Sequence, residues 1–143
     1  FPGLDGQKMS KSYGNTITLR EARASIEKKI KTMPTDPARV RRTDPGDPAR
    51  CPVWQFHQIY SDESQRDWAN NGCRTATIGC LECKQPIIEA IDQELAPVRE
   101  KALELAANHS LVRNIIAEGC EEARSVARET LEDVRHVMGV SYR

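Results

Sequence analysis

Between Pro34 and Pro52 the chain reads PTDPARVRRTDPGDPARCP, with five of its eight prolines in this one stretch. Proline has no backbone N–H and its ring collides with the preceding helical turn, so no regular element runs through such a segment. It is expected to be an ordered connector or a partly mobile loop, and it divides the chain into a short front and a long back. In the front, residues 1–17 are punctuated by Pro2, Gly3, Gly6 and Gly14 and show no periodicity, which reads as loop. Thr18 and Glu21 then form a capping-box pair. Leu19, Ala22, Ile26, Ile30 and Met33 follow at helical spacing until Pro34 stops the run.

Behind the connector everything reads as helix. VWQFHQIYS places Val53, Phe56 and Tyr60 on one face, and DESQRDWAN is a second short helix. A longer helix is expected from Leu81 to Ala107, with Pro86 and Pro97 as boundaries or kinks. Ser110 is placed as the cap of a last helix whose Leu111, Ile115, Ile116, Ala123, Val126, Ala127, Val134 and Met138 point inward. Gly119 interrupts it at a cost of about 1 kcal/mol relative to alanine, and Gly139 suits its C-terminal cap. No two-residue alternation survives. The reading is an all-α helical bundle over 18–143, fronted by a loop at 1–17.

Such a bundle has little to pack with: hydrophobic residues make up 38% of the 143 and aromatics 5%, so its core must be thin and aliphatic. Lysine plus arginine and aspartate plus glutamate both count 21, so bulk charge argues for neither nucleic acid nor membrane. Its distribution does more. Residues 1–50 carry 11 basic and 6 acidic side chains, residues 51–143 carry 10 and 15, and this asymmetry points to an anionic partner at one end. No apolar run reaches the ~20 residues of a membrane span, and no signal peptide is visible. The first residue is Phe, and the chain is expected to be a piece of a longer one.

Cys51, Cys73, Cys80 and Cys83 are spaced C-x21-C-x6-C-x2-C, with Cys120 apart. Four small buried hydrophobes would be the bland account; disulfides suit a helical chain without secretory features poorly. CLEC at 80–83 puts two thiolates within reach of one ion or cluster, and Cys51 and Cys73 complete four sulfur ligands. Zinc and an iron–sulfur cluster both accept such a set. Arg39, Arg41, Arg42 and Arg50 in the connector form either a solvated loop or a surface for RNA phosphates.

The remaining motif is DGQKMSKSYGN at Asp5–Asn15, where Lys8 and Lys11 stand three apart between glycines. KMSKS resembles the mobile loop that closes over ATP in class I aminoacyl-tRNA synthetases. With PGLDGQ before it, YGNTI after it, TD at Thr35–Asp36 and the later GCLECKQPIIEAI, the chain is most similar to the bacterial tryptophanyl-tRNA synthetases. The resemblance covers all 143 residues, as the C-terminal third of such an enzyme; Tyr13 stands where leucine is common.

That resemblance implies an ATP-dependent ligase that activates tryptophan and transfers it to tRNA-Trp. Lys8 and Lys11 would stabilise charge on the phosphates, Lys11 more strongly, with Met9 and Ser10 on the nucleotide, Ser12 ordering the loop, and Mg accompanying ATP. Residues 1–17 would end a Rossmann-type domain absent from this chain, and 18–143 would be the anticodon-binding domain. A subset of the family holds a [4Fe-4S] cluster on four cysteines beside the anticodon region, which implies that role for Cys51, Cys73, Cys80 and Cys83, with zinc the alternative. Arg39, Arg41, Arg42, Arg74 and Lys84 become candidate tRNA contacts. A cytoplasmic setting, a homodimer for the full-length protein and a monomer for these residues alone are further implications. The chain departs from the family in lacking a HIGH-like segment, and His57, His109 and His136 read as surface or packing residues. It is therefore expected to hold half of an ATP site and no amino-acid site. A non-catalytic RNA-binding helical module with a structural metal is the competing reading.

Overall fold

The computed structural model describes residues 1–140. Among them are five α-helices: α1 (Arg23–Thr32), α2 (Pro52–Tyr60), α3 (Glu63–Arg74), α4 (Cys80–Ala107) and α5 (His109–Val137). The described residues hold no strand, only one isolated bridge between Pro2 and Lys8. The chain divides into two compact units, Phe1–Glu100 and Lys101–Arg143.

The first unit is built on aliphatic side chains presented at helical spacing. Ile26, Ile30 and Met33 from α1 and its end, Val53 and Phe56 from α2, and Ile87, Ile88, Ile91 and Leu95 from α4 form one buried cluster. Three of the five residues assigned to the inner face of the first helix are therefore in the core. Leu19 is instead exposed, because the helix starts at Arg23 and not at Thr18. The reason lies in Glu21. Its carboxylate takes the Thr18 N–H at 2.8 Å, as a capping box requires, but also the Ser25 hydroxyl and the Lys29 ammonium, each at 2.5 Å. Burial opposes its ionisation, but the hydrogen bonds from Lys29, Ser25 and Thr18 outweigh that and hold its pKa below the usual carboxylate value. Residues 18–22 are thus a turn locked onto the helix, not its first turn.

Pro86 and Pro97 both lie inside α4, which runs through them without a break. Two internal prolines cost about 3 kcal/mol each. Burying Ile87, Ile88, Ile91 and Leu95 contributes about 1.5–3 kcal/mol per side chain, which is enough to keep the helix whole. The α3 helix is also longer than DESQRDWAN suggests. Asp62 caps it, accepting from the Gln65 N–H at 2.8 Å, and it continues through Asn70, Asn71 and Gly72 to Arg74. Gly72 is there for packing: a β-carbon would come within 2.8 Å of the Ile78 side chain.

In the second unit, Asn108 caps α5 by accepting the Leu111 N–H at 3.0 Å, and Ser110 merely bonds to that same Asn108 oxygen. Gly139 adopts φ +68° and closes the helix, with the Val140 N–H reaching the Arg135 carbonyl. No residue of α5 is buried. Ile115, Ile116, Val126, Val134 and Met138, expected to point inward, are all exposed. Periodicity shows that a helix has an apolar face; it does not supply the surface that covers it.

Candidate functional site

The lysine-bearing loop is tied around one buried side chain. Asn15, 4% exposed, accepts the Ser10 N–H at 2.8 Å and donates to Asp5 Oδ1 at 2.8 Å and the Lys8 carbonyl at 3.2 Å. Its own carbonyl takes the Leu4 N–H, and Met9 N–H bonds to the Phe1 carbonyl. Lys11–Tyr13 then form a single 3-10 turn, closed by Gly14 at φ +65°. Gly6, at φ +81°, makes the earlier corner. The loop is thus fixed at its base, through Asn15, with its cationic tip outward. Lys8 and Lys11 are exposed, and neither ammonium is in an ion pair among the described residues. The Ser10 and Ser12 hydroxyls lie 2.7 Å apart, and Met9 is partly covered.

Asn15 is a residue that sequence reasoning missed, and Gly3 is its counterpart. A β-carbon on Gly3 would fall inside the Asn15 amide, 2.5 Å from its Cγ. Gly3→Ala is expected to weaken this brace by about 1–3 kcal/mol, the usual cost of overpacking. Amide hydrogen exchange at Leu4 and Ser10 should accelerate accordingly; protection equal to wild type would show that the Asn15 contacts do not hold the loop.

The four cysteines come from three helix ends. Cys51 precedes α2, Cys73 lies in the last turn of α3, and Cys80 and Cys83 occupy the first turn of α4. The connector closes over them. Asp36, 3% exposed, accepts the Ala38 and Asp47 N–H groups, and Gly46 N–H bonds to the Cys73 carbonyl at 2.9 Å. A β-carbon on Gly46 would sit 2.7 Å from Cys73 Sγ, so only glycine allows the connector this close to the thiol. Cys51, Cys73 and Cys83 line one hollow together with Pro48, Val53, Trp54 and His57.

All four cysteines are partly buried free thiols. Burial pushes the Cys83 thiol up to about 12, and negative charge on Cys51, Cys73 or Cys80 adds to the shift. Burial also raises Cys73. Negative charge on Cys51 or Cys80 opposes ionisation of both Cys73 and Cys83. Among the described residues, no three His, Cys, Asp or Glu side chains are close enough to grip a single metal ion.

His57 is fully buried beside these thiols, its Nε2 2.9 Å from the Cys83 carbonyl and its Nδ1 2.7 Å from the Ser61 hydroxyl. Burial lowers its pKa and favours the neutral ring. A carbonyl can only accept, so Nε2 carries the proton and Nδ1 accepts from Ser61.

Two of the candidate tRNA contacts are not at the surface. Arg39 is 8% exposed, and its Nη2 donates to the Ile78 carbonyl at 2.5 Å and the Arg42 carbonyl at 3.0 Å. Lys84 is 2% exposed and donates to the Lys31 and Met33 carbonyls at 2.8 and 2.7 Å, capping the C-terminal end of α1. Both assignments are corrected: these cations are buried and satisfy backbone carbonyls, and neither offers its charge at the surface. Arg41, Arg42 and Arg74 are exposed. Arg42 pairs with Glu82 at 3.1 Å and Arg74 with Asp47 at 3.3 Å, both solvent-exposed pairs of the kind that contribute little to stability.

A family model described as tRNA synthetases class I (W and Y) matches residues 1–96. The chain belongs to this family. Over 142 residues it is 62% identical to the tryptophan–tRNA ligase of Ralstonia nicotianae, a match spanning 99% of the chain and 36% of that protein. It is 44% identical to the tryptophan–tRNA ligase of Thermotoga maritima, spanning 99% of the chain and 44% of that protein. The crystal structure of Campylobacter jejuni tryptophanyl-tRNA synthetase complexed with ADP and tryptophan is similar at a TM-score of 0.82 and 28% identity. That likeness covers 96% of this chain and 43% of the other. The chain thus spans less than half the length of these class I synthetases. The family match takes in both the lysine loop and all four clustered cysteines, and stops short of α5.

Proposed function

We propose that this chain serves a tryptophan–tRNA ligase, supplying the phosphate-facing half of its ATP site and the helical domain that meets tRNA-Trp. The observation that carries this reading is the loop at residues 5–15, which is fixed at its base through Asn15 and exposes the Lys8 and Lys11 ammonium groups, neither in an ion pair among the described residues. When a tryptophan carboxylate attacks the α-phosphate of Mg-ATP, pyrophosphate leaves and negative charge grows on the departing oxygens. Cations placed there stabilise the transition state more than the ground state. Lys11 and Lys8 are those cations, with Met9 and Ser10 against the nucleotide and Ser12 holding the Ser10 hydroxyl. The full-length protein is read as a cytoplasmic homodimer.

The thiols of Cys51, Cys73, Cys80 and Cys83 suit a [4Fe-4S] unit better than zinc. One zinc ion draws four sulfurs tightly around itself, whereas a cubane gives each thiolate its own iron and accepts a wider set. Bound there, the group would tie together the ends of α2, α3 and α4 under the connector that bears Arg41 and Arg42. With Arg74, these arginines are the candidate tRNA contacts.

Pyrophosphate exchange tests the central reading. The full-length protein should exchange pyrophosphate into ATP only when tryptophan is present, and residues 1–143 alone should show none. Exchange driven by tyrosine and not tryptophan would refute the substrate assignment.

A further inference from the structure

Two buried groups beside the thiols have no part in the chemistry above. His57 Nε2, the protonated nitrogen, lies 3.3 Å from Cys83 Sγ as well as 2.9 Å from the Cys83 carbonyl. Its N–H is therefore shared between the backbone and the sulfur. At Cys73, Arg39 brings its Nη1 to 3.9 Å from Sγ. Arg39 is more than nine-tenths buried, and its Nε is the one buried side-chain polar atom with no partner among the described residues.

A guanidinium does not lose its proton, and a buried charge needs an opposite one. Arg39 has no carboxylate within ion-pair distance among the described residues; its other contacts are neutral carbonyls. The side chain that its Nη1 reaches in the cysteine group is Cys73, at Sγ. On the other side, a neutral imidazole locked by Ser61 holds a fixed N–H at Cys83. We propose that Arg39 and His57 are positioning residues for the four-cysteine site, aiming N–H groups at the sulfurs of Cys73 and Cys83 where these would hold an iron–sulfur cluster. This rests on the cluster reading. It adds why these two residues are buried where they are: each places positive charge or an N–H at a ligand sulfur. A hydrogen bond or cation at sulfur favours the more negative, reduced state of a cluster and slows loss of its metal.

The test uses full-length protein prepared without oxygen, reading iron content, the rate of iron release to a chelator, and the reduction midpoint followed by visible absorption. His57→Phe keeps the ring and removes the N–H. It should release iron about tenfold faster, the scale typical of partners to metal ligands, and its midpoint should move to more negative potential. Arg39→Met should change both readouts in the same direction, while Arg39→Lys, which keeps the charge, should recover most of the wild-type behaviour. Ser61→Ala leaves the core intact but frees the imidazole tautomer, and should give a smaller shift of the same sign. It decides the case for His57 if the phenylalanine variant does not fold. Wild-type release rates and midpoints in Ser61→Ala and Arg39→Met, at full iron content, would overturn the proposal. Wild-type protein without iron would instead overturn the cluster reading, and this assignment with it.

Discussion

Replacing Lys11 by alanine in the full-length synthetase is expected to slow adenylate formation by about 10²–10³-fold, the loss typical of one preorganised charge contact at a transition state. The expectation follows from how the loop is built. Asn15 fixes the backbone from Lys8 to Ser10, so the 3-10 turn that begins at Lys11 projects from an anchored base. The Lys11 ammonium is exposed and in no ion pair among the described residues, so it can move to the phosphates without first breaking a salt bridge. Its attraction grows as pyrophosphate departs, which places the loss in kcat and not in tryptophan binding. Lys8→Ala should act in the same direction with a smaller effect, because the Lys8 backbone is held at the base of the loop and its side chain starts farther from the tip. Single-turnover adenylate formation and equilibrium tryptophan binding separate the two quantities. A Lys11 variant with unchanged turnover, or one whose entire defect lies in tryptophan affinity, would remove Lys11 from the charge-stabilising role.

The second large effect is expected at the cysteines. Anaerobically prepared protein should be brown and contain about four irons per chain. Serine at any one of Cys51, Cys73, Cys80 or Cys83 should strip or damage that content, because a hydroxyl does not replace a thiolate on iron. Cys120→Ser should change nothing, since Cys120 is exposed on α5 and takes no part in the group of four. Loss of the cluster should also loosen residues 45–85, where Gly46 is bonded to Cys73 and Glu82 holds both Arg42 and the Gly79 N–H. tRNA affinity should then fall through displaced Arg41, Arg42 and Arg74, with little change in its salt dependence because no phosphate-facing charge is removed. One tightly bound zinc in place of iron would keep the site and reject the cluster. Metal-free protein whose Cys80 and Cys83 alkylate freely in the folded state would reject both.

What could be read directly from the residues was local. The 3.6-residue repeat placed Ile26, Ile30, Met33, Val53 and Phe56 on helix faces, and all of them lie in the core, whereas the buried Ile87–Leu95 stripe of α4 was not singled out. The all-helical class and the two-lysine loop came from the same short-range signals, and the capping pair at Thr18 and Glu21 is present as a turn. The four thiols could be grouped because cysteine is rare and CLEC is compact, although that they come from three helix ends was not visible.

What only tertiary structure decided were pairings across long separations, which leave no mark on local spacing. Lys84 and Arg39 look like surface cations in the sequence. They are buried because carbonyls more than 35 residues away complete their hydrogen bonding: Lys31 and Met33 for Lys84, and Ile78 for Arg39. Gly46 and Gly72 are small because the Cys73 sulfur or the Ile78 side chain occupies the space beside each. The prolines of α4 were tolerated because a buried face outweighed their cost. On α5 the sequence determined an amphipathic helix and its glycine cap, but burial is a property of two surfaces, and one helix encodes only its own.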